Sequence, residues 1–183
     1  MVPERRAMNA VQTEADALID RLNRMNRADF IDTLADIYEH SPWVAEQAAS
    51  LRPFETTEAM AATMQTIVHR ASAETQMALL RAHPELGRGG NLTTHSNSEQ
   101  RYAGFDRLTP DLAETLAALN RAYRAKFGFP FIVAVRGQKD PLAIIAQIER
   151  RLANDPDTEA ATAIEEVGKI ARFRLDRLSQ PER

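Results

Sequence analysis

The sequence predicts an all-α protein, a single-domain bundle of about eight helices with one short extended segment near 129–135. Three observations lead there. Apolar residues recur every three or four positions along most of the chain, period-two alternation is nearly absent, and the breaks between apolar stripes carry residues that start or stop helices. With 183 residues, 44% of them hydrophobic and only 7 glycines, the chain can fill one core without help. Roughly the first ten residues are expected to be disordered, and no repeat or low-complexity linker divides the remainder.

The elements follow in order. Asn26 with Asp29 three residues on forms a capping-box variant, and Phe30, Leu34, Ile37 and Tyr38 then make a helical stripe ending near His40. Ser41-Pro42 puts a capping hydroxyl before a proline, starting a short helix with Trp43, Val44 and Ala48 that Arg52-Pro53 stops. Thr56 or Thr57 caps a longer helix with Met60, Met64, Ile67, Val68 and Ala71 on one side. Ser72 begins another turn or helix through Leu79 and Leu80. Pro84 disfavours helical geometry at the residue before it, so this element ends at His83, facing a loop.

Residues 87–95 hold Gly87, Gly89, Gly90 and two threonines, a loop composition. Thr109-Pro110-Asp111 starts a helix through Leu112, Leu116, Leu119, Tyr123 and Phe127, and Gly128 stops it. Phe129 to Val135 is apolar, contains a proline and is rich in residues that favour extended geometry, yet it cannot form a sheet alone. Asp140-Pro141 starts a helix through Leu142, Ile145, Ile148 and Leu152. Asp157 or Thr158 starts the last one, with Ile164, Val167, Ala171, Leu175 and Leu178.

Composition excludes several kinds of function. Without cysteine there is no disulfide, thiolate metal site or cysteine nucleophile, so any metal would need histidine and carboxylate ligands. The net charge of -3 comes from interspersed acids and bases with no basic face, which argues against a nucleic-acid partner. No apolar run is long enough to span a membrane and no signal-peptide pattern is present, so a cytoplasmic location is expected and no membrane partner. Pro181-Glu182-Arg183 does not look like a peroxisomal address.

His83, Glu99 and Gln100 can move protons or read a polar ligand, and they fall close together at element boundaries. Each also has a structural reading. His83 could cap a helix C-terminus, as could His40; His69 could sit at a core edge, and His95 in a polar loop. Ser96-Asn97-Ser98-Glu99 matches the capping box, and Gln100 could be an exposed helix residue. A helix start at Ser96 would still offer amides to an anionic ligand. The Phe127 to Ile132 stretch could be a buried connection, although its backbone groups must find partners, and a planar ligand could supply some.

The His83-Pro84-Glu85-Leu86-Gly87, Ser96-Asn97-Ser98-Glu99-Gln100 and Lys126-Phe127-Gly128-Phe129-Pro130-Phe131-Ile132 blocks recur in a recognisable order. With the stretches from Glu39 to Glu46 and Lys169 to Leu175, they resemble the 2-oxo-4-hydroxy-4-carboxy-5-ureidoimidazoline (OHCU) decarboxylase family. The resemblance spans residues 20 to 178. It implies catalytic roles for His83 and Glu99, and substrate contacts for Pro84, Ser96 and Gln100 and for the backbone of Phe131, Ile132, Val133, Ala134 and Val135. It also implies a substrate contact for Arg174, with neighbouring Arg172 as the alternative. The departure is the Gly87-Arg88-Gly89-Gly90 loop.

By that resemblance the substrate is a small ureido-imidazoline carboxylate, the product is (S)-allantoin, no metal or organic cofactor takes part, and the protein is a homodimer. Two other readings compete. In one the same residues are caps and core aromatics of a noncatalytic helical interaction module. In the other His83, Glu85 and His95 hold a hydrolytic metal, although their spacing lacks a recognised helix-borne ligand pattern.

Overall fold

A computed structural model describes residues 3–87, 94–136 and 140–179. Among them are nine α-helices, two short 3-10 turns and no strand, so the protein is all-helical as expected, with one helix more than eight. The added helix is α1, Pro3–Arg24. The chain divides into two compact units, one of residues 1–70 and 171–183, the other of residues 71–170.

The first unit holds α1, α2 (Arg27–Leu34), α3 (Trp43–Ala48) and α4 (Thr57–Arg70), with α2 packed on α3 and both α3 and α1 packed on α4. Asn26 caps α2 by accepting from the Asp29 N–H, as expected. Thr56 caps α4 through its hydroxyl, which accepts from the Ala59 N–H at 3.0 Å. Met60, Met64, Ile67 and Val68 of α4 are buried. Phe30 stacks on Phe54, with the Arg52 guanidinium 4.6 Å from the Phe30 ring centroid.

Two boundaries here differ from expectation. α2 stops at Leu34, not near His40, because Ile37, Tyr38 and Glu39 are buried in succession, and residues 100° apart around a helix cannot all face one core. Arg174 donates to the Asp36 and Ile37 carbonyls, and His40 takes a positive φ of 45°. In α3 the cap position falls on Pro42 and no side chain caps it, so the Ser41 hydroxyl has no capping role there.

The second unit holds α5 (Ala73–Ala82), α6 (Thr94–Tyr102), α7 (Pro110–Phe127), α8 (Pro141–Arg151) and the part of α9 (Pro156–Leu178) up to Ile170. Ser72 caps α5, Thr109 caps α7 and Asp140 caps α8, and Gly128 closes α7 in the left-handed conformation with φ 77°. The start of α9 lies one or two residues earlier than expected, at Pro156, because Asp155 accepts from the N–H groups of both Asp157 and Thr158. The Thr158 hydroxyl, which also donates to this carboxylate, and then the N–H bonds hold the Asp155 carboxyl below its ordinary pKa. The α8 stripe is rotated from expectation, with Ile144, Ile145 and Ile148 buried while Leu142 is exposed. Residues 129–135 form neither helix nor strand, and their backbone depends on side-chain partners.

Candidate active site

His83 ends α5. Its φ of -72° and ψ of 142° leave the helical region, as the following proline requires, and its N–H still bonds to the Leu80 carbonyl. The ring is buried, and Nδ1 lies 2.9 Å from the Leu79 carbonyl oxygen. A carbonyl can only accept, so Nδ1 carries the hydrogen. In the neutral ring this leaves the lone pair on Nε2, the nitrogen able to take or deliver a proton. The helix-capping reading of His83 is thus met through Nδ1.

The turn after His83 is tied at every residue from Glu85 to Gly87. Gln100 Nε2 donates to the Glu85 carbonyl at 3.1 Å and its Oε1 accepts from the Gly87 N–H at 3.0 Å. Asn120 Nδ2 donates to the Leu86 carbonyl at 3.0 Å, and Arg124 Nε pairs with the Glu85 carboxylate at 2.8 Å. Gly87 has φ +72°, and a Cβ there would lie 2.5 Å from Leu116 Cδ2. Only glycine fits without moving the neighbour.

α6 begins at Thr94, two residues before Ser96, which corrects the capping-box reading. Ser96 and Glu99 thus lie inside the helix, and Ser96, Glu99 and Gln100 fall at i, i+3 and i+4, along one side of it. Ser96 and Gln100 are buried and Glu99 is half-buried. Gln100 is not an exposed residue, and His95 is a half-buried helix residue, not part of a loop. Of the glycine-rich loop only Gly87 lies within the described residues; Arg88, Gly89 and Gly90 lie outside them.

Phe131, Ile132, Val133, Ala134 and Val135 are all buried. Arg151 Nη1 donates to the Ile132 carbonyl at 2.8 Å, and the Ala134 N–H donates to Glu166 Oε2 at 2.8 Å. Beneath them Arg151 pairs with fully buried Glu159, whose other oxygen accepts from Asn154 and whose first also accepts from the Tyr123 hydroxyl. Burial, reinforced by the bond to Glu159, raises the Tyr123 phenol well above its ordinary pKa. The Tyr123 ring meets Phe129 and Phe131 edge-on, at 5.9 and 5.3 Å.

The structure thus joins the His83 turn to α6 through Gln100 and holds residues 131–135 by other side chains, on α8 and α9. Pro84 is half-buried in the tied turn. Arg174 belongs to the other unit, buried, with Nη2 2.9 Å from the fully buried Glu39 carboxylate. Arg172 is partly exposed and pairs with Glu58 and Asp176. No cluster of three or more potential metal ligands occurs among the described residues, nor a helix long and apolar enough to cross a membrane.

Residues 23–176 match the family model described as OHCU decarboxylase. The chain belongs to the OHCU decarboxylase family. An OHCU decarboxylase of Haloferax volcanii is 45% identical over 157 residues, covering 86% of this chain and 93% of that one. Among solved structures, an (S)-allantoin synthase matches with a TM-score of 0.69 at 33% identity, over 86% of this chain and 52% of that one. An OHCU decarboxylase crystallised in the presence of (S)-allantoin matches with a TM-score of 0.67 at 26% identity, over 79% of this chain and 95% of that one.

Within the decarboxylase fold, sequence reading missed Asn120, Arg151, Glu159 and Glu166. Asn120 sits one turn beyond Leu116 on the buried side of α7, a spacing visible in the sequence. Arg151 in the last turn of α8 and Glu159 in the first turn of α9 each look like ordinary complements to a helix dipole. Nothing local marks them as partners of each other.

Proposed function

We propose that this protein decarboxylates OHCU to (S)-allantoin in urate breakdown, with His83 as proton donor or relay and Glu99 as its catalytic partner. The observation that carries the reading is the fixed tautomer of His83 within a family-matching turn: Nδ1 is committed to the Leu79 carbonyl, so Nε2 is the proton-transfer atom.

The chemistry requires little else. As carbon dioxide leaves, the bonding electron pair passes into the ring, where the neighbouring carbonyl and ring nitrogen delocalise it, so the substrate is its own electron sink and no cofactor is needed. A proton must then reach the vacated carbon from one face. A positioned histidine contributes roughly 10²- to 10⁴-fold to such a transfer, and its placement sets the handedness of the product.

Glu99 would accept hydrogen bonds from ureido or ring N–H groups and assist the proton shift, beside Ser96 on the same side of α6. Gln100 uses one amide hydrogen and one oxygen lone pair on Glu85 and Gly87; the second of each is what a planar substrate edge would engage. Pro84 would line the substrate beside His83. For residues 131–135, the Ile132 carbonyl keeps a second lone pair beyond the one Arg151 uses. A substrate contact for Arg174, or for Arg172 in its place, is proposed from the family resemblance, as is a homodimer. A cytoplasmic location is proposed from the lack of cysteine.

The test is time-resolved circular dichroism on freshly generated substrate. Purified protein is expected to speed the appearance of (S)-allantoin in a saturable way. An unchanged, racemic decay would refute the reading and favour the interaction module.

A further inference from the structure

We propose that Arg151 and Glu166 are positioning residues that clamp the 131–135 backbone and thereby set substrate affinity. The proposal rests on the reading above, in which this segment contacts the substrate.

The segment forms neither helix nor strand, so no ladder fixes where its amides and carbonyls point. Two side chains do so instead. Arg151 holds the Ile132 carbonyl, and Glu166 accepts from the Ala134 N–H, so the protein grips the same stretch of backbone once by an acceptor and once by a donor. Arg151 is itself immobilised. Its Nε and Nη2 edge is spent on Glu159, its remaining Nη1 on Ile132, and its face lies 4.6 Å from the Phe131 ring centroid. Glu159, with no exposure to solvent, is pinned in turn by Tyr123 and Asn154.

A lysine could keep the charge near Glu159. It could not reproduce the planar fork that bonds Glu159 and Ile132 together, nor stack on Phe131 in the same way. The guanidinium is therefore suited to transmitting a fixed position to the backbone, beyond balancing a buried acid. Glu166, paired on its other oxygen with Lys169 at 2.6 Å, does the same from α9.

The variants R151K and E166A separate the steps. Each is expected to raise KM for OHCU roughly tenfold while kcat stays within about threefold, the signature of lost uniform binding. By hydrogen–deuterium exchange, peptides covering 129–135 are expected to exchange faster than in the wild type, with peptides of α4 unchanged. A merely structural role would move exchange everywhere and leave the KM of the folded fraction alone. Unchanged exchange at 129–135 overturns the positioning claim. Faster exchange with an unmoved KM overturns the claim on affinity and shows that the segment does not contact substrate. Should R151K fail to fold, E166A, which leaves the Arg151–Glu159 pair in place, carries the same comparison.

Discussion

Replacing His83 by asparagine and by alanine separates the two jobs assigned to its ring. Asparagine places an N–H donor the same number of bonds from Cα as Nδ1, so it can keep the bond to the Leu79 carbonyl while removing Nε2. Alanine removes both. Leu79 carries one of the last four carbonyls of α5, which have no partner within the helix, and His83 is buried against it. Leaving that carbonyl unpaired costs about 1–3 kcal/mol. For a chain of this size each kcal/mol shifts Tm by about 2–4 °C, so H83A should melt on the order of 2–12 °C lower, with H83N closer to the wild type. Activity should not follow that order. Both variants lose Nε2 and should lose roughly 10²- to 10⁴-fold in kcat, about 3–5 kcal/mol of barrier. Circular dichroism serves both measurements, at far-ultraviolet wavelengths for melting and through (S)-allantoin formation for turnover. If H83N turned over substrate like the wild type while H83A did not, His83 would be a cap and the proton would come from elsewhere.

Three further outcomes are expected. E39Q should lose about 3–5 kcal/mol in a urea titration, because it strands the Arg174 charge where both side chains are at most 1% exposed; a loss under 1 kcal/mol would refute that pairing. G87A combines a left-handed backbone, about 1–2 kcal/mol, with a Cβ driven into buried Leu116, about 1–3 kcal/mol, and wild-type melting would show that the turn is not held as described. For Tyr38 and Tyr123, burial is the leading cause of raised folded-state pKa values, so above about pH 10 the unfolded chain releases protons that the folded one keeps. Stability should therefore fall as pH rises from there, and tyrosinate absorbance from these two residues should appear only together with unfolding; its appearance in the folded protein would contradict their burial.

Much of this fold was legible because its helix boundaries are written in local chemistry. Thr109-Pro110 and Gly128 bracket α7, Ser72 and His83-Pro84 bracket α5, and each acts through neighbours within four residues. Where the reading slipped, a distant residue had intervened. Arg174 holds the Asp36 and Ile37 carbonyls in the irregular stretch beyond the end of α2, and the earlier start of α6 moves Ser96 and Glu99 from cap positions to one side of a helix. The sequence alone could name His83, Glu99 and Gln100, since their chemistry and order are one-dimensional facts. Only the folded chain decided which nitrogen of His83 holds its hydrogen, which backbone groups Gln100 engages, and that Arg151 and Glu166, both half-buried, hold residues 131–135. The reason is physical: a hydrogen bond depends on distance and angle in space, and the partners here stand from four to 138 positions apart along the chain.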